Sequence, residues 1–154
     1  MTDPTDRSIY PHWAQDHVRF QDLDRLGHVN NIAFCVYSET GRVKFAEDLC
    51  PGSTDGSGIG WTIVRLEVDF RQQGHYPATV DIGTAITRLG TSSVTLVQGI
   101  FLGDRCIGTT SSVVVWTDVQ AGKALPLPDD IRAAAQGFMV RPSGDSTAPA
   151  TAPR

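Results

Sequence analysis

The stretch that decides the fold covers residues 19–42 and reads RFQDLDRLGHVNNIAFCVYSETGR. At its start Val18 and Phe20 alternate with polar neighbours, which is typical of an extended segment. A glycine in the middle supplies the backbone freedom that a turn commonly needs. Asn30 or Asn31 is then a good N-cap for a helix. The stretch therefore predicts a strand end, a tight acidic loop and the start of a long helix.

Charged groups and backbone donors come together at this predicted helix start. The first turn of a helix presents N–H groups without partners and about half a positive charge, which stabilise an anion or a developing oxyanion. Asp22 and Asp24 lie a few residues upstream, with His28 between them and the helix. A base or nucleophile beside such a helix start is what acyl-transfer chemistry requires.

The same residues carry a family resemblance. The matching positions are Arg19-Phe20, Asp22, Asp24, Gly27-His28-Val29-Asn30-Asn31, Tyr37, Glu39 and Arg42. In this pattern the chain resembles the hotdog-fold acyl-CoA thioesterases of the 4-hydroxybenzoyl-CoA thioesterase-like group, over roughly residues 13–134. The resemblance implies an enzyme that hydrolyses an acyl-CoA thioester to a free acid and CoA, without a cofactor. It also implies a homodimer or tetramer, because family members place the acyl site at a subunit interface.

Length and composition limit the classes of protein. The 154 residues suit one domain with a real core, and 40% hydrophobic with 19% charged residues is typical of a soluble globular protein. A formal net charge of -4 without a basic cluster argues against nucleic acid as the main partner. No apolar run approaches the roughly 18 residues of a membrane span, and residues 1–12 lack the apolar core of a signal peptide.

The cysteines indicate a reducing compartment. Cys35, Cys50 and Cys106 are odd in number and widely spaced, and no CxxC motif is present, so neither a zinc site nor a disulfide framework is indicated. Free thiols are expected, which predicts a cytoplasmic protein. Cys35 is a poor candidate nucleophile, because burial within the predicted helix disfavours its thiolate.

The predicted helix extends from Asn31 to Leu49 and stops before Pro51. Its apolar residues form two stripes, with Phe34, Tyr37, Gly41 and Phe45 on one side and Ile32, Val36 and Val43 on the opposite side. A helix that is apolar on opposite faces is usually buried on both. We therefore expect a sheet wrapped around this helix.

The other elements are mostly strands. Strands are predicted at Ala14–Gln21, Trp61–Arg71, Thr79–Leu89, Ser92–Leu102 and Arg105–Thr117, with a short helix at Asp129–Gly137 capped by Asp129 or Asp130. The alternation in 61–71 indicates a half-buried strand. Four consecutive strands without intervening helices pair as an antiparallel meander or a variant of it.

These elements give an α+β fold with an antiparallel curled sheet of about five strands around a central helix, the hotdog arrangement in outline. The predicted organisation is a flexible leader at 1–12, a hotdog domain at 13–138 and a disordered tail at 139–154. The glycine-rich segment 51–60 is either a flexible connector or a lid over a ligand.

Asp24 is the main catalytic candidate. An Asp-x-Asp pair also begins calcium loops, but Leu26 and Ala33 stand where such a loop needs a ligand and a glutamate, so no metal site is predicted. From the residues alone, the carboxylates could equally satisfy loop amides or cap the helix. The resemblance implies that Asp24 is the catalytic carboxylate, as nucleophile or as general base.

Further site residues follow from the resemblance. It implies that a backbone N–H of Val29, Asn30 or Asn31 polarises the thioester carbonyl. His28 is predicted to contact the thioester or to orient Asp24, with a backbone-bonded histidine as the alternative. Asn31 is predicted as a cap, a substrate contact or both.

The helix supplies the predicted acyl-binding residues. Phe34 stands where relatives often have Tyr, which favours a more apolar wall. The resemblance also gives Tyr37 a role in positioning the acyl group, and its hydroxyl needs a partner if it is buried. Glu39 and Arg42 lie three residues apart on one helix face and are predicted to form a buried charge pair.

The CoA contacts are the least constrained part of the site. Ser92 and Ser93 follow a strand turn and are assigned to turn chemistry or to pantetheine, since no Gly-x-Ser-x-Gly motif is present. The candidate partners for CoA phosphates are Arg65, Arg71, Arg88 and Lys123. Two alternatives to the CoA thioesterase stay open: a non-catalytic acyl-thioester binding protein, and a thioesterase whose substrate is carried by acyl carrier protein.

Overall fold

The computed structural model describes residues 2–144. The elements in chain order are β1 (His12–His17), α1 (Asn31–Leu49), β2 (Ile59–Phe70), β3 (Thr79–Leu89), β4 (Ser93–Leu102), β5 (Arg105–Asp118), β6 (Lys123–Ala124) and α2 (Asp129–Ala135). Single turns of 3-10 helix lie at Arg7–Ile9, Phe20–Asp22 and Gln136–Phe138. The predicted α+β class is confirmed.

All strands belong to one antiparallel sheet in the order β1-β3-β4-β5-β2, with β6 paired to β5. The chain forms the meander β3-β4-β5, while β2 lies beyond β5 and so forms an edge of the sheet. Register shifts interrupt three of the pairings, at 63–65, 86–88 and 100–101. Such bulges bend a sheet, and the result is a curled sheet with α1 on its concave side.

One face of α1 packs against this sheet. The first half of the helix, with Phe34 and Tyr37, packs on Val80, Ile82 and Ile100. The second half, with Phe45 and Leu49, packs in a further apolar cluster. The other members of this cluster are Ile86, Val94, Leu96, Val114, Trp116, Leu127, Ile131 and Ala135. Between the halves lies Gly41, where a Cβ atom would come within 2.5 Å of the Ile82 side chain. The absence of a side chain at Gly41 therefore allows the helix to lie close to the sheet at this point.

The opposite stripe of α1 is exposed in the single chain. Ile32, Val36 and Val43 keep 69%, 39% and 50% of their surface accessible. The prediction that both faces of the helix are buried is therefore wrong for one chain, because the sheet covers only one side of the helix. Strand β2 differs from its prediction in the same way, since Val64 and Phe70 are exposed.

The segments outside the predicted domain contribute to the fold. Ile9 and Tyr10, within the expected leader, are fully buried. Strand β1 covers His12–His17 rather than Ala14–Gln21, and a 3-10 turn at Phe20–Asp22 replaces the end of the predicted strand. At the other end the amide of Val140 donates to the carbonyl of Ile86 at 2.9 Å. The rest of the predicted tail, 145–154, lies outside the described residues.

Helix α2 begins after Pro128, which has no side-chain cap hydrogen bond. The predicted cap by Asp129 or Asp130 is therefore wrong. Proline at this position fixes the backbone entry into the helix, and the Asp130 carboxylate instead accepts the Ile131 amide at 2.9 Å.

Candidate active site

Asp22 holds the loop before α1 in place. One of its carboxylate oxygens accepts the Arg19 amide at 2.8 Å and the Tyr37 hydroxyl at 2.7 Å. Its backbone carbonyl accepts the Asn30 amide at 2.8 Å. Burial, and the hydrogen bond to the Asp22 carboxylate, raise the pKa of Tyr37 above its usual range. Asp22 is 8% exposed, and through Oδ2 and its carbonyl it ties Arg19, Asn30 and Tyr37 together.

Asp24 is the exposed carboxylate of the loop. Its Oδ1 accepts the amides of Leu26 at 2.8 Å and His28 at 3.2 Å, and its own amide donates to the His28 carbonyl at 2.8 Å. Gly27 makes this tight turn possible with a φ of 79°. The second oxygen, Oδ2, has no hydrogen-bond partner within residues 2–144. The loop thus fixes one oxygen of Asp24 and leaves the other available.

Two amides at the start of α1 are unused. The Val29 amide donates to the Gly74 carbonyl at 2.9 Å, and the Asn30 amide is taken by Asp22. The Asn30 side chain caps the helix by accepting the Ala33 amide at 2.9 Å. Among the described residues, the amides of Asn31 and Ile32 have no acceptor. Of the three amides predicted as oxyanion donors only Asn31 remains free, and Ile32 joins it.

A second loop lies against the Asp24 loop and adds a residue that the sequence did not indicate. The contact between Val29 and Gly74 brings His75 to His28, with ring centroids 5.4 Å apart in an edge-to-face arrangement. The neighbouring Tyr76 makes a similar contact with Phe20 at 5.9 Å. His75 is separated from His28 by α1 and β2 along the chain, so no local pattern links the two residues.

The predicted acyl-binding aromatics are part of the core. Phe34 packs edge-on against Phe70 at 5.2 Å and fills the space beside Gly108. Tyr37 is fully buried and its hydroxyl is used by Asp22. Both residues support the wall behind the helix start, and neither presents a free polar group.

Ser92, Ser93 and Arg88 lie at the far end of the molecule from Asp24. The turn between β3 and β4 that carries the serines lies next to Trp116, whose amide donates to the Ser92 carbonyl at 2.8 Å. Trp116 belongs to the cluster at the C-terminal half of α1, a helix about 28 Å long. A single chain therefore does not bring these three residues to Asp24.

An open groove lies between the exposed stripe of α1 and the edge strand β2. Its volume is about 390 Å³, and it is lined by Cys35, Val36, Glu39, Arg42, Ile63, Val64, Arg65 and Leu66. A second cavity of about 320 Å³ adjoins it, shares Glu39, Arg42 and Ile63, and ends among Phe45, Ala46, Trp61, Leu96 and Val114. Ile32, whose amide is free, begins the same stripe of the helix. We call these two connected spaces the helix groove.

The predicted buried pair of Glu39 and Arg42 does not form. No ion pair within 4.0 Å joins them in the described part of the chain, and Glu39 is exposed. Arg42 instead donates through Nη1 to the Ser38 hydroxyl one turn earlier. The helix presents Ser38 to the sheet, so the guanidinium turns inward and away from Glu39.

The candidate phosphate-binding residues are spread over the surface. Arg65 pairs with Glu67 at 2.5 Å, and Arg71 pairs with Asp69 at 3.2 Å. Arg88 and Lys123 are exposed and take part in no ion pair within the described segment. Over residues 2–144 no group of three or more His, Cys, Asp and Glu residues is placed to hold a metal ion. The described helices also include none with the length and hydropathy of a membrane span.

Comparison with known proteins places this geometry in a family. The model of the thioesterase-like superfamily matches residues 18–135. The solved structures similar to the chain include the PA2801 protein of Pseudomonas aeruginosa, with 31% identity, a TM-score of 0.75 and coverage of 81% of this chain and 98% of the other. No curated protein sequence matches the chain significantly.

Two further relatives have 29% identity and a TM-score of 0.76. One is a predicted thioesterase from Bacillus stearothermophilus, covering 85% of this chain and 98% of its own. The other is a thioesterase from Thermus thermophilus, complexed with coenzyme A and zinc, covering 87% of this chain and 98% of its own. The curled sheet around one helix is the hotdog fold of these thioesterases. The chain belongs to the thioesterase-like superfamily and is a thioester hydrolase.

Proposed function

We propose that the protein hydrolyses an acyl-CoA thioester to the free acid and CoA, with Asp24 as nucleophile or general base. The observation that carries the proposal is the free Oδ2 of Asp24 on the loop that leads into α1, where two helix amides have no acceptor. The coenzyme A bound to the Thermus thermophilus relative supports CoA as the carrier of the acyl group.

The amides of Asn31 and Ile32 would hold the oxyanion. As the carbonyl carbon becomes tetrahedral, negative charge develops on its oxygen, and N–H groups already aimed at that position stabilise it without reorganisation. The helix dipole adds to this stabilisation. Removal of one such donor costs about 3–4 kcal/mol in enzymes that use this device. His28 and His75 flank the loop and would contact the thioester or orient Asp24.

The acyl group would lie in the helix groove. The groove begins at Cys35 and Val36, about one helical turn from the free amides, and continues to a wall of Phe45, Leu96 and Val114. Apolar lining with few polar groups is what ligand pockets generally show. The side chains of Phe34 and Tyr37 would support this binding from behind rather than touch the acyl group.

Asp24→Asn tests the chemistry. The amide oxygen of asparagine can still accept from Leu26 and His28, so the loop should keep its shape while the negative charge is lost. We expect thiol release from acyl-CoA to fall by about 10²–10⁴-fold with an unchanged melting temperature. Asp104→Asn, at the exposed β4–β5 turn, is the matched control and should retain full activity.

The alternatives have distinct outcomes in the same assay. Full activity of Asp24→Asn would refute the proposed mechanism. Binding of acyl-CoA by the wild type without any thiol release would favour a binding protein. Release from acyl carrier protein but not from CoA would change the proposed carrier.

We also propose a two-fold homodimer through the edge strand β2. Its hydrogen-bonding edge has no partner within residues 2–144, and Ile63 and Val64 are exposed beside it. Unpaired edges are commonly covered in native proteins. Antiparallel pairing of two β2 strands would place the Phe70 end of one copy beside the Trp61 end of the other.

This dimer would complete the site. Thr62 and Ser93 pair with the same residue of β5, Val115. The β3–β4 turn with its two serines therefore lies beside the end of β2 that carries Trp61. A second copy would thus bring Ser92, Ser93 and Arg88 towards Asp24. Sedimentation velocity should give a dimer for the wild type and a monomer for Val64→Glu, and the activity assay should show low activity for that monomer. Val119→Glu, on an exposed loop, is the control and should stay dimeric. A fully active wild-type monomer would contradict this assembly.

The three free cysteines suit a reducing compartment, so we propose that the enzyme acts in the cytoplasm. Cell fractionation would test this location.

A further inference from the structure

Arg42 is a charged residue of the helix groove and lines both of its spaces, as do Glu39 and Ile63. It is partly buried, and burial lowers the pKa of the guanidinium while the charge of Glu39 opposes this effect. An arginine remains charged at neutral pH even so. The groove therefore contains a fixed positive charge.

Within residues 2–144 this positive charge has no direct anionic partner. No carboxylate of residues 2–144 lies within 4.0 Å of the guanidinium, and its side-chain hydrogen bond goes to the neutral hydroxyl of Ser38. A partly buried charge is unfavourable unless an opposite charge pairs with it. Arg65, which lines the same groove, differs in this respect because it pairs with Glu67. Arg42 thus retains donors for an anion that enters the groove.

The position of the guanidinium sets a distance from the proposed reaction centre. Its bond to Ser38 places it near the level of that residue, seven residues along the helix from Asn31. Seven residues correspond to about 10 Å along the helix axis. An extended chain advances about 1.1 Å per bond. The helix-start N–H groups point away from the helix, so the hydrogen bond to the thioester oxygen lengthens the path by about as much as the hydrogen bond to the guanidinium shortens it. About nine bonds therefore cover the distance, which corresponds to a dicarboxylic acyl group of about eight carbons.

We propose that Arg42 binds a carboxylate at the distal end of the acyl group, so that the preferred substrate is a dicarboxylic acyl-CoA of medium length. The guanidinium forms charge-assisted hydrogen bonds with the second carboxylate while the intervening methylene groups lie along Cys35, Val36 and Ile63. This inference rests on the proposed function for the position of the thioester. The anion takes the place that an acidic side chain would otherwise occupy.

The test compares acids of equal length. Suberoyl-CoA and octanoyl-CoA both have eight carbons and differ in the distal carboxylate, and succinyl-CoA is too short to reach Arg42. We expect Arg42→Met to lower kcat/KM for suberoyl-CoA at least tenfold relative to octanoyl-CoA. Activity on succinyl-CoA should show no comparable dependence on Arg42. Arg65→Met, at the paired arginine of the same groove, should leave the ratio unchanged.

Binding separates this inference from the proposed reaction. In the Asp24→Asn background, calorimetry with suberoyl-CoA and octanoyl-CoA measures the same preference without turnover, and a tenfold Arg42-dependent difference supports the inference even if no thioester is hydrolysed. An equal loss for both acyl groups would overturn it. So would dissociation of the dimer by Arg42→Met in sedimentation velocity, because Arg42 would then pair with a second copy of the chain.

Discussion

Gln98 provides the sharpest test of how the helix is fixed on the sheet. Its side chain is completely buried and forms four hydrogen bonds. The oxygen accepts from the hydroxyls of Ser38 at 3.0 Å and Thr110 at 3.1 Å. The nitrogen donates to the Ser38 carbonyl at 3.1 Å and to the Thr84 hydroxyl at 3.2 Å. One residue thus connects α1 to β3, β4 and β5.

The expected loss in the free energy of unfolding follows from the polar groups that Gln98→Leu would leave without hydrogen-bond partners. Leucine removes all four bonds, and the hydroxyls of Thr84 and Thr110 stay buried with their main partner gone. Each buried polar group left without a partner costs about 1–3 kcal/mol. Ser38 is less affected because it still receives Arg42 and lies 3.5 Å from Thr110. After allowance for the apolar surface of leucine, we expect a loss of about 3 kcal/mol in the free energy of unfolding.

Urea unfolding followed by circular dichroism measures this loss, with an unchanged m-value showing that the same surface is exposed. Gln21→Leu, at an exposed glutamine without a side-chain hydrogen bond in the described segment, is the control and should change stability by less than about 0.5 kcal/mol. A loss below about 1 kcal/mol for Gln98→Leu would refute the argument that this network fixes the helix.

Two further predictions concern the same helix. Gly41→Ala should destabilise the protein by about 2 kcal/mol, because the new Cβ would lie 2.5 Å from Ile82 and 2.7 Å from Gln98. Gly137→Ala is the control: its new Cβ has nothing within 4 Å, so it should be neutral in the same urea experiment. Burial lowers the pKa of His12 below its usual 6.5, although a 2.9 Å contact with Asp48 opposes this effect. The unfolded chain therefore binds the proton more readily, so stability is complete above pH 6.5 and falls as the pH decreases through the lowered pKa. The melting temperature should drop less between pH 8 and pH 5.5 in His12→Asn than in the wild type, and equal drops would contradict this assignment.

The sequence predicted the fold best where one regular spacing of apolar residues determines the secondary structure. Helix α1 has the predicted limits, and β3 matches its prediction residue for residue. Strong alternation and a proline after the helix are local signals that tertiary contacts did not override. The predicted start of β1, Ala14, was two residues too late. The buried residues before it, Ile9 and Tyr10, show no regular spacing of apolar residues that would distinguish a packed segment from a flexible leader.

The site could be predicted in part. Two carboxylates before a helix start followed from the order of residues alone, whereas the choice of Asp24 came from the resemblance. The structure buries Asp22 and leaves Asp24 exposed on that loop. Which amides remain free depends on the carbonyls of Gly74 and Asp22, which arrive through the folding of other segments. His75 reaches His28 by the same route. Arg42 bonds to Ser38 rather than Glu39 because inward packing overrides the spacing of the two charges along the helix.

The second apolar stripe of α1 supports the proposal that a second copy of the chain completes the candidate site. The sequence pattern predicts burial on both faces, and the single chain leaves Ile32, Val36 and Val43 exposed. The unpaired edge of β2 borders the same groove. Exposed apolar side chains beside an open strand edge are unfavourable for an isolated protein. We infer that a second copy of the chain and the acyl group in the groove together cover this face, which the single chain leaves exposed.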